Sequence, residues 1–381
     1  MRITFLLSHV PGPRFYKKMK KTKEYFEISV IYRNRKSETF QTFFTDNMIN
    51  KHEIIDGKYK SWKIPLNLYH AFIKKSINQL KVIDPEIIHC GNLDMLLVAH
   101  IYKAKFNKKV RIVYEIGDLN KRTYNNSKRF DKYLIRKTLI LLEKRLFSYV
   151  DRLVISSQHF WDDYYRDFIS ADRTFLFPNA PEKSVFDNVR EIKKETITIG
   201  FVGRIRYHEQ LVMLIDAVNE INQQNKKIIY DILIAGEGPE SDIVKEYAKA
   251  YSFVTMYGSY NYEEEVADIY SEIDIVYSVY DATIQNVGVA LPNRLYEAIV
   301  AMKPIIVAKD TKLGEFVQKN QIGFAVDSRL GSSELFDILN IIYLNGKALS
   351  KIKRNCYLIK NDYYIESYQE KLINMYKEIT K

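Results

Sequence analysis

The chain has 381 residues, of which 46% are hydrophobic and 28% are charged, with only 14 Gly and 9 Pro. Such values are typical of a globular protein with two domains of ordinary size, and they exclude a largely disordered or low-complexity chain. The net charge of +11 is concentrated in residues 1–180, which carry 34 Lys+Arg against 18 Asp+Glu, whereas residues 181–381 carry a small acidic excess.

No segment has the features of a secretion signal or a membrane span. The N-terminal apolar run, Ile3 to Leu7, is too short for a signal peptide, and the lipophilic segment from Leu134 to Val150 contains five charged residues. Cys90 and Cys356 offer neither a disulfide framework nor a metal-ligand cluster. We therefore expect a protein of the reducing cytoplasm. We assign no metal site and no cofactor, and the sequence leaves metal dependence open.

Short β-rich runs alternate with helical patterns along the whole chain. Strands of four to eight residues separated by helices predict parallel sheets that are covered by helices on both faces. The predicted strands, in chain order, are Ile3–Leu7, Ile28–Tyr32, Ile87–Cys90, Val110–Tyr114, Leu153–Ser156, Thr174–Phe177, Thr196–Val202, Ile229–Ala235, Phe253–Tyr257, Ile275–Tyr277, Pro304–Ala308 and Gly323–Val326.

The two sets of strands predict an α/β fold with two doubly wound domains, residues 1–180 and 181–360. Pro178-Asn179-Ala180-Pro181 and the charges that follow are typical of a linker. Residues 361–381 hold an amphipathic helix, from about Tyr363 to Ile379. Because ligands bind outside the carboxyl ends of parallel strands, we expect the site in a cleft between the two sheets.

Two strand ends in the second half carry glycine turns. Thr196–Val202 runs into Gly203-Arg204-Ile205-Arg206, and a later strand ends at Gly236. A glycine lets the backbone approach a phosphate, and an arginine can clamp that phosphate with two hydrogen bonds. An ordinary turn with solvated arginines explains the first motif equally well, and turn chemistry alone explains most of the second.

The segment from Leu291 to Ala308 predicts a helix with Pro292 near its first turn, followed by a buried strand. The start of this helix, with Asn293 and Arg294, could hold a diphosphate on its free N–H groups. Glu297 lies one turn further along, where a carboxylate could accept hydrogen bonds from ribose hydroxyls. The alternative for Glu297 is a surface acid that is stabilised by the helix dipole.

These motifs, in this order and spacing, resemble the retaining glycosyltransferases of family 4. The similarity extends to the first half, so it covers nearly the whole chain. The segments that carry it are Phe201-Val202-Gly203-Arg204, Ala235-Gly236-Glu237-Gly238-Pro239, Pro292-Asn293-Arg294-Leu295-Tyr296-Glu297-Ala298, Pro85 to Cys90, Val113 to Leu119, Val150 to Ser156 and Phe177 to Pro181.

The resemblance implies a GT-B fold, in which two Rossmann-like domains face a cleft between them and the final helix, within residues 361–381, returns to the first domain. It also implies transfer of a sugar with retention of configuration, a nucleotide-sugar donor (UDP- or GDP-linked) on the second domain and an acceptor on the first. The donor-binding residues would be Gly203, Arg204, Arg206, Gly236, Asn293, Arg294 and Glu297. The Pro-Asn-Arg-Leu-Tyr-Glu form is similar to a divergent branch of surface-polysaccharide transferases.

The chain departs from the family pattern at two places. The family carries a glutamate eight positions before Glu297, where this chain has Val289. The family also has a diphosphate-binding Lys-Gly where this chain has Glu209-Gln210, and Arg206 and Arg294 are candidate replacements for that charge. These departures leave open an altered donor choice, a non-catalytic partner in a polysaccharide complex, or another GT-B chemistry such as an epimerase.

Glycosyl transfer needs a base for the acceptor hydroxyl, and Asp118, after the strand Val110–Tyr114, is the favoured candidate. Sugar binding, or a loop aspartate without catalytic function, are the alternatives for Asp118. His89, near a strand end, is a weaker candidate. His9 and Gly12 lie in a loop that could approach the leaving phosphate or the acceptor, although a lone histidine is more often structural.

Basic residues mixed with aromatic ones in the first half suit an anionic membrane leaflet and a lipid-linked glycan acceptor. We expect a cytoplasmic protein that binds the inner face of the membrane; a solvated lysine-rich face is the alternative. No zinc spacing, RNA-binding signature or heptad zipper indicates specific nucleic-acid binding. The basic residues are Lys17, Lys18, Lys20, Lys21 and Lys23, and then Lys121, Arg122, Lys128, Arg129, Lys132, Arg136, Lys137, Lys144 and Arg145.

Overall fold

The structure is a computed structural model that describes residues 1–34, 49–55, 66–117, 130–329, 333–345 and 347–381. The chain divides into two compact units. Unit 1 comprises Met1–Pro178 together with Tyr368–Lys381, and unit 2 comprises Asn179–Ser367. The sequence analysis places the corresponding boundaries at 180 and 360.

Unit 1 is built on a parallel sheet of seven strands with the order β3-β2-β1-β4-β5-β6-β7. The strand order changes direction between β1 and β4, which is the point where doubly wound sheets bind ligands. Its elements are β1 (Arg2–Leu7), α1 (Pro13–Thr22), β2 (Glu27–Asn34), β3 (Ile49–Ile55), α2 (Leu66–Ile83), β4 (Ile87–Gly91), α3 (Leu93–Lys105), β5 (Arg111–Ile116), α4 (Phe130–Leu146), β6 (Arg152–Ile155), α5 (Gln158–Asp163) and β7 (Thr174–Leu176).

Unit 2 is built on a parallel sheet of six strands with the order β10-β9-β8-β11-β12-β13, which changes direction between β8 and β11. The last helix begins in unit 2 and contributes its residues from Tyr368 onward to unit 1. The elements are α6 (Lys183–Phe186), β8 (Ile197–Val202), α7 (His208–Gln224), β9 (Tyr230–Ala235), α8 (Ser241–Ala248), β10 (Val254–Gly258), α9 (Tyr262–Glu272), β11 (Ile275–Ser278), α10 (Gln285–Val289), α11 (Asn293–Val300), β12 (Ile305–Ala308), α12 (Lys312–Asn320), β13 (Gly323–Val326), α13 (Glu334–Leu344), α14 (Lys347–Ile359) and α15 (Ile365–Glu378).

Every predicted strand is present in the structure, with ends that differ by a residue or two. The sequence analysis misses β3, because Asn50, Lys51, His52 and Glu53 interrupt its apolar pattern. A polar strand is tolerated there since β3 is at the edge of the sheet and pairs only with β2 among the described strands.

The central strands are buried on both faces, as expected for parallel sheets covered by helices. All five residues of β4 are buried, and so are the residues of β5 from Ile112 to Ile116. Two of these buried residues, His89 and Glu115, are polar or charged and therefore require partners inside the protein. No helix in the described part of the chain is both long and apolar enough to span a membrane.

Candidate functional site

The turns that follow β8 and β9 lie against each other in unit 2. Gly203 and Gly236 have positive φ angles of 124° and 126°, a region that favours glycine. Gly203 donates its N–H to the carbonyl of Ala235 at 2.8 Å, and a Cβ built on Gly236 would lie 2.1 Å from the Gly203 carbonyl oxygen. The two glycines therefore allow a close approach of the backbone at the carboxyl edge of the sheet.

Arg294 lies beside these turns, in the first turn of α11. Its side chain is 6% exposed, with its guanidinium carbon 3.8 Å from the ring centre of Phe201 and 5.1 Å from that of Tyr280. Nη1 donates to the carbonyl of Tyr277 at 3.4 Å. Nη2 lies 3.3 Å from where a Cβ on Gly203 would stand, so a side chain there would crowd the guanidinium. We call Arg294 with these four neighbours the arginine site.

The arginine site sits at the change of strand order in unit 2, because Phe201 belongs to β8 and Tyr277 to the adjacent β11. Within the described ranges, no carboxylate lies within ion-pair distance of Arg294. An arginine cannot lose its charge, and a buried charge without a counter-ion is costly. The arrangement therefore favours binding of an anion from outside the chain.

The other predicted donor-binding residues divide into exposed and buried ones. Arg204 and Arg206 follow Gly203 and are exposed, and Asn293 is exposed at the first position of α11. Pro292 caps this helix, as the sequence predicts. Gly203 belongs to the arginine site and Gly236 packs against Gly203. Of the exposed residues, Arg204 and Arg206 follow Gly203 in sequence and Asn293 precedes Arg294.

Glu297 is buried, at 4% exposure, so the alternative of a surface acid is wrong. Its Oε1 accepts a hydrogen bond from the Tyr262 hydroxyl at 2.9 Å, and its Oε2 accepts one from the Tyr270 hydroxyl at 2.8 Å. Burial and then the Glu297 charge raise the pKa of both tyrosines well above the usual value, so both stay donors. Ribose binding by Glu297 stays a prediction, and it would use the remaining lone pairs of this carboxylate.

The positions that depart from the family pattern differ in their surroundings. Val289, the last residue of α10, is 8% exposed and presents only apolar atoms. Glu209 is exposed in the first turn of α7, whereas Gln210 is buried and donates to the carbonyl of Ser328 at 3.3 Å. Gln210 therefore supports the fold. Neither Glu209 nor Gln210 supplies the positive charge of the family's lysine.

In unit 1, the structure corrects the prediction for His89. This histidine lies inside β4 and is fully buried, so it is not a loop residue that could approach a substrate. Its Nε2 is 2.7 Å from Oε2 of Glu115, and its Nδ1 contacts the Tyr376 hydroxyl. Burial lowers the pKa of His89 despite the raising effect of Glu115, so the ring is neutral. The contacts fit the tautomer in which Nε2–H donates to Glu115 and Nδ1 accepts from Tyr376.

Glu115, at the end of β5, also pairs with two cations of α1. Arg14 donates from Nε to Oε1 of Glu115, and Lys18 donates to the same oxygen at 3.0 Å. Burial alone would raise the pKa of Glu115, but the charges of Arg14 and Lys18 and the bond from His89 hold it well below its usual value. We call Glu115, Arg14, Lys18, His89 and Tyr376 the Glu115 network.

The sequence analysis assigns no role to Arg14, Glu115 or Tyr376. A signal was present for the first two, because a glutamate within an apolar strand predicts a buried partner and Arg14 and Lys18 share one face of a helix. The prediction that Lys18 belongs to a basic surface is wrong. Lys18 is fully buried on Glu115, with its ammonium 4.0 Å from the ring centre of Phe177.

Stability of unit 1 should depend on the protonation of Lys18. Burial lowers the pKa of Lys18 from 10.5 to about 8, against the raising effect of Glu115. Between these two values the unfolded chain binds the proton and the folded chain does not, so stability rises with pH. From about pH 8 to pH 9.5, we expect the free energy of unfolding of the wild type to rise by about 1.5 kcal/mol relative to that of the Lys18→Met variant.

Urea unfolding followed by tryptophan fluorescence measures this difference. The chain has two tryptophans, and one of them, Trp161, lies in α5 of unit 1. Lys20→Met, on the exposed side of α1, is the matched control and should show no pH-dependent difference from the wild type. An equal gap between the wild type and Lys18→Met at all pH values would contradict the lowered pKa.

The other unit 1 candidates lie at strand ends. His9 is exposed after β1, with Nδ1 3.5 Å from the Ser8 hydroxyl, and Gly12 is the N-cap of α1. Gly12 has open space where a Cβ would stand. Asp118, the proposed base, lies outside the described residues.

The chain is similar in sequence to a glycosyltransferase family model and to a polysaccharide biosynthesis protein. Residues 182–358 match the family model of Glycosyl transferases group 1, which covers a little under half of the chain. The succinoglycan biosynthesis protein ExoL of Rhizobium meliloti (strain 1021) is 24% identical over 258 residues. The match includes 64% of this chain and spans 60% of the length of that protein.

Solved structures resemble the whole chain. A sucrose-phosphate synthase from Thermosynechococcus elongatus superposes with a TM-score of 0.73 at 14% identity, covering 100% of this chain and 99% of the other. The Anabaena protein HepE, solved in complex with UDP, superposes with a TM-score of 0.72 at 16% identity, covering 99% of this chain and 100% of the other. The predicted GT-B fold and the resemblance to GT-B glycosyltransferases are thereby confirmed, whereas retention of configuration stays a prediction.

Proposed function

We propose that the protein is a glycosyltransferase that moves a hexose from a UDP- or GDP-linked donor to a lipid-linked glycan during surface polysaccharide biosynthesis, with retention of configuration. The observation that carries this proposal is the buried guanidinium of Arg294 in the arginine site. ExoL supports the assignment to polysaccharide biosynthesis by its name, and HepE supports a nucleotide donor because it is solved with UDP and, separately, with UDP-glucose.

Arg294 would bind the diphosphate of the donor. As the bond between the sugar and the diphosphate breaks, negative charge grows on the leaving phosphate oxygen. A guanidinium that is already desolvated and fixed between aromatic rings stabilises this charge without reorganising. The N–H groups at the start of α11 would donate to the same diphosphate, and the exposed Arg204 and Arg206 would add positive charge beside it.

The remaining groups would act on the ribose and on the acceptor. Glu297, held by two tyrosine hydroxyls, would accept a hydrogen bond from the ribose. Asp118 would take the proton from the acceptor hydroxyl as that oxygen attacks the sugar. His9, exposed after β1, would contact the leaving phosphate or the acceptor.

We also propose that unit 1 lies against the anionic inner face of the cell membrane. On α4, the apolar side chains of Leu134, Ile135 and Leu141 are 48%, 47% and 69% exposed, and the basic Lys137 and Lys144 are exposed beside them. Apolar and basic side chains on one helix are the combination that binds an anionic leaflet. The basic residues from Lys121 to Arg129 lie outside the described residues.

A second candidate function is that of a non-catalytic partner in a polysaccharide assembly complex. It is favoured by Val289, whose buried apolar side chain cannot replace the contact of the missing family glutamate. It predicts that the protein binds no sugar nucleotide, or binds one without releasing a nucleoside diphosphate.

Thermal unfolding with added nucleotides tests the donor site. UDP, GDP and ADP are compared with their nucleosides, which lack the diphosphate that Arg294 is proposed to bind. The matching diphosphate, at a hundred times its dissociation constant, should add about 2.7 kcal/mol and raise the melting temperature by several degrees. Its nucleoside should have almost no effect. If none of the nucleotides shifts the melting temperature, the result would contradict the proposal and favour the second candidate function.

A further inference from the structure

We propose that Arg14 is a positioning residue for sugar transfer, because it fixes the turn that follows β5 in unit 1. This inference rests on the proposed function, since the turn leads in sequence to Asp118. The proposal concerns the described residues at this end of the strand, Ile116 of β5 and Gly117 after it, and the helix α1 that carries Arg14.

Arg14 makes two kinds of contact with the end of β5. Nε pairs with the Glu115 carboxylate, and Nη2 donates to the carbonyl of Ile116 at 2.8 Å. Nη1 lies 2.8 Å from where a Cβ on Gly117 would stand, so the guanidinium occupies the space of a side chain at that position. A single planar group therefore binds Glu115 and Ile116 and lies against Gly117, three successive residues of the chain.

Other residues hold both Arg14 and the Glu115 carboxylate in place. Lys18, one helical turn after Arg14, binds the same oxygen of Glu115 and also donates to the carbonyl of Arg14 at 3.3 Å. On the other side, His89 binds the second oxygen of Glu115 and contacts Tyr376 of α15. Since every partner of Glu115 lies on a helix or strand, the carboxylate gives Arg14 a rigid support.

A substitution at position 14 can remove one contact of Arg14, the hydrogen bond to Ile116, and keep the other, the ion pair with Glu115. Its side chain is 21% exposed, whereas those of Lys18 and Glu115 are fully buried. An ammonium group at position 14 would keep a charge beside Glu115 but could not reach the Ile116 carbonyl at the same time, because lysine lacks the planar fork. Arg14→Lys therefore removes the hold on the turn while it retains the ion pair.

The control is available on the same strand. Arg111, at the opposite end of β5, donates from Nη1 to Oδ1 of Asp151 at 3.1 Å and is 46% exposed. Arg111→Lys makes the same chemical change at the other edge of the sheet. A second variant, Gly117→Ala, adds a Cβ that must displace the end of the Arg14 side chain and so disturbs the contact from the other partner.

The experiment measures turnover of the sugar nucleotide that gives the largest thermal shift, as release of nucleoside diphosphate in the presence of a bacterial membrane lipid extract. We expect Arg14→Lys and Gly117→Ala to lower kcat about 10-fold or more, with the donor KM and the nucleotide-induced melting shift unchanged. Arg111→Lys should keep the wild-type kcat. If Arg14→Lys and Gly117→Ala only destabilised the fold, their melting temperatures would fall and the kcat of the folded fraction would stay at the wild-type value, which would overturn the positioning role.

Hydrogen exchange gives a readout that does not depend on activity. Backbone amides at the end of β5 should exchange faster in Arg14→Lys than in the wild type or Arg111→Lys. An active wild type with equal kcat and equal exchange in Arg14→Lys would overturn this inference and leave the proposed function intact. A wild type that releases no diphosphate would overturn the proposed function instead, and with it the role of Arg14 in transfer.

Discussion

Replacing Arg294 with alanine is expected to weaken binding of the matching nucleoside diphosphate by about 10- to 100-fold. A charge-assisted hydrogen bond to a phosphate contributes about 1.5–3 kcal/mol, and the guanidinium is already desolvated between Phe201 and Tyr280. Arg294→Lys should recover only part of the affinity, because an ammonium lacks the bidentate geometry. Calorimetric titration of the purified variants measures the effect.

Two outcomes of this titration decide whether the effect belongs to the arginine site. Arg354, an exposed arginine of α14 in the same unit, is the control for a general loss of positive charge, and Arg354→Ala should bind as the wild type does. Equal affinities of the wild type and Arg294→Ala would show that the diphosphate binds elsewhere and would remove the main support for the proposed function.

Replacing Glu115 with methionine is expected to destabilise unit 1 by about 3–5 kcal/mol, because it leaves Arg14 and Lys18 of the Glu115 network without their counter-ion. The double variant Glu115→Met with Lys18→Met removes the fully buried cation as well and should recover part of the loss. Urea unfolding followed by tryptophan fluorescence reports on this unit through Trp161 of α5.

The control for this second prediction is an exposed ion pair on the same helix and its flanking turn. Lys21 and Glu24 pair at 2.5 Å, with side chains that are 32% and 50% exposed. Glu24→Gln should cost less than about 1 kcal/mol, because exposed ion pairs contribute little. A loss as small as this in Glu115→Met would mean that the two cations of α1 find water or other partners, and the network would not be a stabilising element.

Much of the fold could be predicted because it depends on periodicity. Buried parallel strands read as short apolar runs, and each one that the sequence predicts is found. The edge strand β3 was missed since its polar middle carries no such run. An apolar run in the local sequence indicates a buried strand. It does not show which strand lies at the edge of the sheet, where polar residues are tolerated.

The site could be predicted only in part. The family resemblance implies that Gly203, Gly236 and Arg294 bind the donor, and the structure brings these three residues together. The burial of Arg294 between two rings depends on Tyr280, which follows a different strand, so local sequence could not show it. His89 and Lys18 were misplaced for the same reason, because their partner Glu115 is distant along the chain.

The central claim is that the protein cleaves a sugar nucleotide at the arginine site. The most direct measurement is the fate of a sugar-labelled donor, chosen by its thermal shift, when it is incubated with the wild type and Arg294→Ala and a bacterial membrane lipid extract. We expect the wild type to release nucleoside diphosphate and move the label to the lipid fraction, and we expect Arg294→Ala to do neither at the same donor concentration. A donor that binds the wild type and stays intact would contradict it.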